Sequence, residues 1–212
     1  MNRRRFMQTS AAIAALNSFP YSLYAGTTRK NAFDPIKLGP EDVDLSRLAM
    51  GTGTNGMGGS SNQTKKLGVT GVADLFRSGY DQDLNFWDTA DQYGTHPHAR
   101  ESLKSVPREK ITLISKMSKT RAGAANEMRA DLDRFQRELN SYYIDMHCMI
   151  DGNWNTKKRG AMDISAEAQE KGIVREKGVS CRTLDAFKTA AAEPWVEVDW
   201  ARINPAGACC VR

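Results

Sequence analysis

At 212 residues, 40% of them hydrophobic and 26% charged, the chain has the length and composition of one globular domain with a sizeable core, which excludes disorder. Its net charge of +5 would suit a phosphorylated ligand, but Lys and Arg are scattered with no basic stripe interleaved with aromatics, which argues against nucleic acid. Cys148, Cys181, Cys209 and Cys210 form neither a metal-finger spacing nor a disulfide framework, and no stretch of the body approaches the roughly 20 apolar residues of a membrane span.

The chain opens with Arg3-Arg4-Arg5-Phe6-Met7-Gln8 and continues into a short, weakly apolar segment over residues 9–16. A cationic head joined to such a segment reads as an export signal. Paired arginines before Phe6 resemble the twin-arginine signal, which a receptor reads and which delivers proteins already folded. An amphipathic first helix is the competing reading. Leu23-Tyr24-Ala25 fits the small-x-small cleavage rule poorly, so the mature start falls between Ala25 and Asn31. The expected division is a signal over residues 1–30, with no membrane anchor left after its removal, and a globular body over residues 31–212.

Residues 45–53 read as a first strand ending in a glycine-rich turn, and residues 54–62 as a flexible loop. So much glycine suggests a phosphate cradle, but neither a complete P-loop nor a GxGxxG fingerprint at a strand-to-helix junction is present. Val69, Val72, Ala73, Leu75 and Phe76 recur at helical spacing, and Gly79 ends that helix. A second strand covers residues 84–90, a short helix residues 97–105, and a third strand residues 111–117. A helix over residues 124–139 and a fourth strand over residues 143–150 follow. After a loop at residues 152–155 come a helix around residues 164–171, a fifth strand over 174–181, a helix over 184–192, and a sixth strand over 196–203 ending at Asn204-Pro205.

Strands alternating with helices predict parallel pairing and right-handed crossovers. An open doubly wound sheet and a closed (β/α)8 TIM-type barrel both satisfy that pattern. Asp88, Lys116, His147 and Ser180 fall at the ends of successive strands and would share one mouth, which favours the barrel. A full barrel needs about 250 residues, so the expectation is an incomplete one, with about six of eight β/α units.

Within this frame, residues 86–96 begin as an apolar strand, pass through Asp88, and break at Gly94, which puts their polar groups where a barrel houses chemistry. Asp88, Tyr93, Lys116 and His147 suit hydride delivery to a carbonyl, because the oxygen turns into an alkoxide that needs a proton and a hydrogen-bond donor together. Tyr93 would give the proton, Lys116 would make the phenol a better acid by placing a cation nearby, Asp88 would hold Lys116, and His147 would orient the carbonyl. A Tyr capping a strand and an Asp opening a turn is the plain alternative. His96 and His98, with His147 and Cys148, raise the idea of a metal site, against loop histidines lining a substrate pocket. Met117, Met146 and Met149 read as core filling, and Trp154 as a lid or a plug over the barrel.

In order along the chain, Ser46-Arg47-Leu48-Ala49-Met50-Gly51, Trp87-Asp88-Thr89-Ala90-Asp91-Gln92-Tyr93-Gly94, Ile114-Ser115-Lys116, Tyr143-Ile144-Asp145 with His147, Gly178-Val179-Ser180 and Arg202-Ile203-Asn204-Pro205 resemble the aldo/keto reductase family. The resemblance implies a catalytic tetrad of Asp88, Tyr93, Lys116 and His147, NADPH as cofactor, and a small-molecule carbonyl substrate at the barrel mouth. It implies that Ser180 contacts the nicotinamide carboxamide and that Gly51 and Thr52 line the cofactor cleft. Cys181, placed with them among the expected cofactor-binding residues, stands where the family often has Asn, so one amide contact is missing. Asp145 and His147 lie closer together than the family pattern sets them, and the last two strands, with the basic residues that grip the 2′-phosphate, are absent. An unclosed barrel exposes two strand edges, so the chain is expected to be a fragment of a longer reductase, with self-association through the open edges as the other way to close it. Two further readings stay open: a non-catalytic remnant or binding scaffold, and a metal-dependent barrel hydrolase or isomerase.

Overall fold

The computed structural model describes residues 30–117, 125–140 and 152–201. The signal segment, the expected fourth strand with Asp145, His147 and Cys148, and Asn204-Pro205 lie outside the described residues. The fold below is that of the compact unit Ala32–Arg212.

The chain enters through a hairpin that sequence reading did not anticipate. Strand β1 (Pro35–Leu38) pairs antiparallel with β2 (Val43–Ser46), with Pro35 opposite Ser46 and Leu38 opposite Val43. Leu45 therefore belongs to this hairpin. The single strand expected over residues 45–53 is instead two, because Arg47 and Leu48 still donate to Asp34 O and Ala32 O, both at 2.9 Å, before the chain bends into β3 (Met50–Gly51). The same apolar alternation suits either strand, and only the partner decides between them.

Strands β3, β4 (Phe86–Asp88) and β5 (Thr112–Ile114) form a parallel sheet in which Trp87 lies between Met50 and Leu113. Beyond residues 141–151, β6 (Gly178–Cys181) pairs parallel with β7 (Val198–Ala201). With helices between the strands, this is an incomplete (β/α)8 barrel. Successive strand residues face opposite ways. Phe86, Ile114 and Val198 join Val43 and Leu45 in an inner core, against which Trp200 packs, while Trp87, Leu113, Val179 and Cys181 belong to a larger outer core beneath the helices.

Helix α1 (Asn62–Tyr80) begins earlier than its apolar periodicity shows. Ser61 and Thr64 form a reciprocal cap, with Ser61 Oγ accepting from Thr64 N at 3.2 Å and Thr64 Oγ1 accepting from Ser61 N at 2.8 Å. Gly68, at φ +63°, breaks the helix, so the predicted stretch from Val69 is its second segment. Buried Val72, Ala73, Phe76 and Gly79 face the sheet, where Phe76 stacks on Trp87 at 4.4 Å between centroids. Helices α2 (His96–Ser102) and α3 (Ala125–Leu139) follow, the latter burying Leu132, Phe135 and Leu139. The short α4 (Trp154–Lys157), α5 (Arg159–Glu170) and α6 (Leu184–Ala192) complete the layer. Trp154 is neither lid nor barrel plug: it is 1% exposed within the outer core and donates from Nε1 to Ala186 O at 3.3 Å.

Candidate active site

Strand β4 delivers Asp88 to the barrel mouth, and the chain then turns through one 3-10 turn, Asp91–Tyr93. Gly94 closes that turn at φ +63°, where a Cβ would stand 2.0 Å from Gly59 O. Both the left-handed backbone and the close approach demand glycine. The glycine-rich segment before α1 is accordingly a clasp. Gly59 N donates to Gln92 O at 3.0 Å, and Cβ atoms on Gly53 or Gly56 would stand 2.4 and 2.2 Å from the Tyr93 ring. No phosphate-binding role is needed to explain these glycines.

Lys116 continues the inward face of β5 two residues beyond Ile114 and is 7% exposed. Its Nζ donates to Asp88 Oδ1 and lies 5.2 Å from the Tyr93 ring centroid and 5.8 Å from that of Trp200. A buried ammonium is tolerable only with such a partner, and the two aromatic faces add cation–π attraction. Three of the four expected catalytic groups thus meet at one end of the sheet. The fourth, His147, lies outside the described residues.

The expected cofactor residues divide. Gly51 has open space on its Cβ side, and Ser180 sits on the inward face of β6 between Val179 and Cys181, which point outward. Thr52 is 3% exposed, and its hydroxyl donates to Asp88 O at 2.7 Å and lies 3.2 Å from Thr95 Oγ1, so it braces the site from within the protein. Cys181 is 2% exposed in the outer core, which turns its side chain away from the mouth. The alternation of a strand requires this: if Ser180 faces inward, its neighbour cannot.

His96 and His98 are not pocket-lining loop residues. Both are buried on α2. His96 shares hydrogen bonds with Glu138 Oε2 through Nδ1 at 2.7 Å and with Ser115 Oγ through Nε2 at 2.8 Å, and its edge meets the Phe135 ring. Burial holds His98 below the usual histidine pKa, against a backbone hydrogen bond with Gly94. Among the described residues, no cluster of three or more His, Cys, Asp or Glu side chains is arranged to hold a metal ion.

Sequence reading missed Arg134. Its Nη1 donates to Asp91 Oδ1 at 2.8 Å and Glu138 Oε1 at 3.0 Å, and its Nη2 to Asp131 Oδ1 at 2.9 Å. Burial works against the guanidinium charge, yet its hydrogen bonds to Asp91, Asp131 and Glu138 outweigh that and raise its pKa. The bond to His96, followed by that to Arg134, holds Glu138 below the usual carboxylate range. The Arg134–Glu138 spacing of four on α3 was the one available signal, and it looks like any helix surface pair.

The profile of the Aldo/keto reductase family matches residues 47–204, well over half of the chain. The chain belongs to this family. No curated protein sequence matches it. Among solved structures it is similar to an aldo/keto reductase from Brucella melitensis, with a TM-score of 0.59 at 17% identity over 78% of this chain and 61% of that one. A thermostable aldo-keto reductase solved with the inhibitor epalrestat gives 0.64 at 20% identity, over 78% and 61%. The holo form of an aldo-keto reductase from Bacillus halodurans gives 0.62 at 18% identity, over 79% and 57%. The chain therefore spans about three fifths of the length of these reductases, and its barrel is the family's, in part.

Proposed function

We propose that this chain reduces a small aldehyde or ketone to the alcohol, with NADPH as hydride source and Tyr93 as proton donor. The observation that supports this reading is the Lys116 ammonium, paired with Asp88 and lying beside the Tyr93 ring at the barrel mouth. The nicotinamide end of the cofactor fits the residues there: open space beside Gly51, the Ser180 hydroxyl on the inward face, and the inward ring of Trp200 as an aromatic wall. Bound there, NADPH supplies the hydride. Negative charge then gathers on the substrate oxygen, and Tyr93 Oη gives up its proton to it. Lys116 balances the phenolate that remains, while Asp88 fixes the ammonium in place. We assign His147 to the hydrogen bond that orients the carbonyl.

Replacing Tyr93 by Phe removes the proton and little else. Carbonyl-dependent NADPH consumption is expected to fall by about three orders of magnitude or more, with the circular dichroism spectrum unchanged. Undiminished turnover in Tyr93→Phe would take the phenol out of the reaction.

We further propose export by the twin-arginine route, which suits a nucleotide enzyme because the cofactor can be loaded before a folded protein crosses the membrane. With residues 1–31 fused to a reporter, changing Arg4 and Arg5 to Lys is expected to block export. Full export of that variant would argue for a different pathway.

A further inference from the structure

We propose that Arg134 is a positioning residue for Tyr93, acting from α3 through Asp91. The proposal rests on the proton-donor reading above for its consequence in turnover, and on geometry alone for the placement of the ring. Arg134 does not touch Tyr93. It holds the Asp91 carboxylate, whose side chain is 7% exposed and which opens the 3-10 turn that Tyr93 ends. Among the described residues Asp91 Oδ2 is buried without a hydrogen-bond partner, and the contact through Oδ1 compensates that charge. The guanidinium is itself held on two sides by its own helix, through Asp131 three residues before it and Glu138 four after. Its planar fork is thereby committed to one orientation, which a lysine cannot reproduce.

The same strut reaches the strand that carries Lys116. Glu138 Oε2 binds His96, and His96 binds Ser115, the residue before Lys116. Asp91 N donates to Lys116 O at 3.3 Å, which closes the circuit. Phenol and ammonium are thus registered against one helix outside the barrel wall. The glycine clasp lies against the ring at Gly53 and Gly56, while the turn that carries the ring is held through Asp91, and errors of about 1 Å at a reacting group cost up to about a hundredfold in rate.

The test is fluorine NMR of the full chain labelled with 3-fluorotyrosine, the Tyr93 resonance being assigned by its loss in Tyr93→Phe and the Tyr80 resonance by its loss in Tyr80→Phe. Arg134→Met is expected to shift and broaden the Tyr93 signal while leaving Tyr80 unchanged, and Arg134→Lys to recover it in part. Asp91→Ala removes the acceptor at the other end of the same link without altering α3, so it is expected to reproduce the change and decides the matter should Arg134→Met fail to fold. In turnover, Arg134→Met is expected to lower kcat about ten- to hundredfold with KM little changed. A Tyr93 resonance unmoved in Arg134→Met, or in Asp91→Ala if only that variant folds, overturns the proposal. If Tyr93→Phe keeps full activity, the proton-donor reading falls by itself, and the resonance still reports whether Arg134 sets the ring.

Discussion

Tyr93 owes its position to residues that have almost no side chain. Gly53 and Gly56 let backbone lie against its ring, and Gly94 turns the chain back at a φ of +63° with Gly59 O only 2.0 Å from where a Cβ would be. Replacing Gly94 by Ala must strain the backbone and push the clasp away together. A loss of about 1–3 kcal/mol in stability is expected, read from urea unfolding. An unfolding midpoint equal to that of the wild type would show that the turn accommodates a methyl group. The residue types of the site were legible because Asp, Tyr and Lys at successive strand ends are unusual in a core. Their mutual arrangement was not, since nothing in a linear pattern shows that glycines forty residues upstream embrace the Tyr93 ring.

At the level of elements, legibility followed the strength of the hydrophobic period. Helix α6 was read at its observed bounds: Thr183 caps it through a hydrogen bond from Ala186 N, and Ala186 and Ala190, four apart, bury one face of it. Helix α1 was read from its kink onward, since its polar first turns are held by the Ser61–Thr64 cap rather than by burial. The β1–β2 hairpin went unseen for a different reason. Its strands are four residues each, and the alternation at Val43 and Leu45 serves a hairpin and a barrel strand equally well. Thr112 Oγ1 donates to Asp44 O at 2.7 Å, tying the hairpin to β5, a long-range contact that no local pattern records. His96 was misplaced because its partners, Glu138 and Ser115, arrive from elsewhere in the chain.

Over the whole molecule, the hairpin turn covers an acidic residue that sets a pH dependence. Glu176 is 1% exposed, accepts from Glu41 N at 3.0 Å through Oε1, and among the described residues leaves Oε2 buried without a partner. Burial pushes its carboxyl up to about 7, the Glu41 amide opposes this, and the neighbouring charge of Glu197 adds to it. Lys177 pairs with Glu197 rather than with Glu176, so no cation relieves the strain on the latter among the described contacts. The folded state therefore keeps a proton that the unfolded chain releases near the ordinary value of 4.5. Stability from this group is full below that value and is lost as pH rises through about 7. Glu176→Gln stays neutral, so its melting temperature relative to the wild type is expected to climb between about pH 5 and pH 8. Parallel melting curves for the two proteins across that range would refute the assignment.

By itself, the sequence determined the alternation of strands and helices and the presence of Asp88, Tyr93 and Lys116 at strand ends, because periodicity and local turn chemistry act over a few residues. Only tertiary structure decided that Leu45 pairs in a hairpin, that Thr52 is buried against Asp88 O and Thr95, that Cys181 turns into the outer core, and that Arg134 reaches the turn beside the phenol. Those outcomes depend on which distant group arrives to satisfy a buried charge or a hydrogen bond, and such partners are chosen by the closing of the fold.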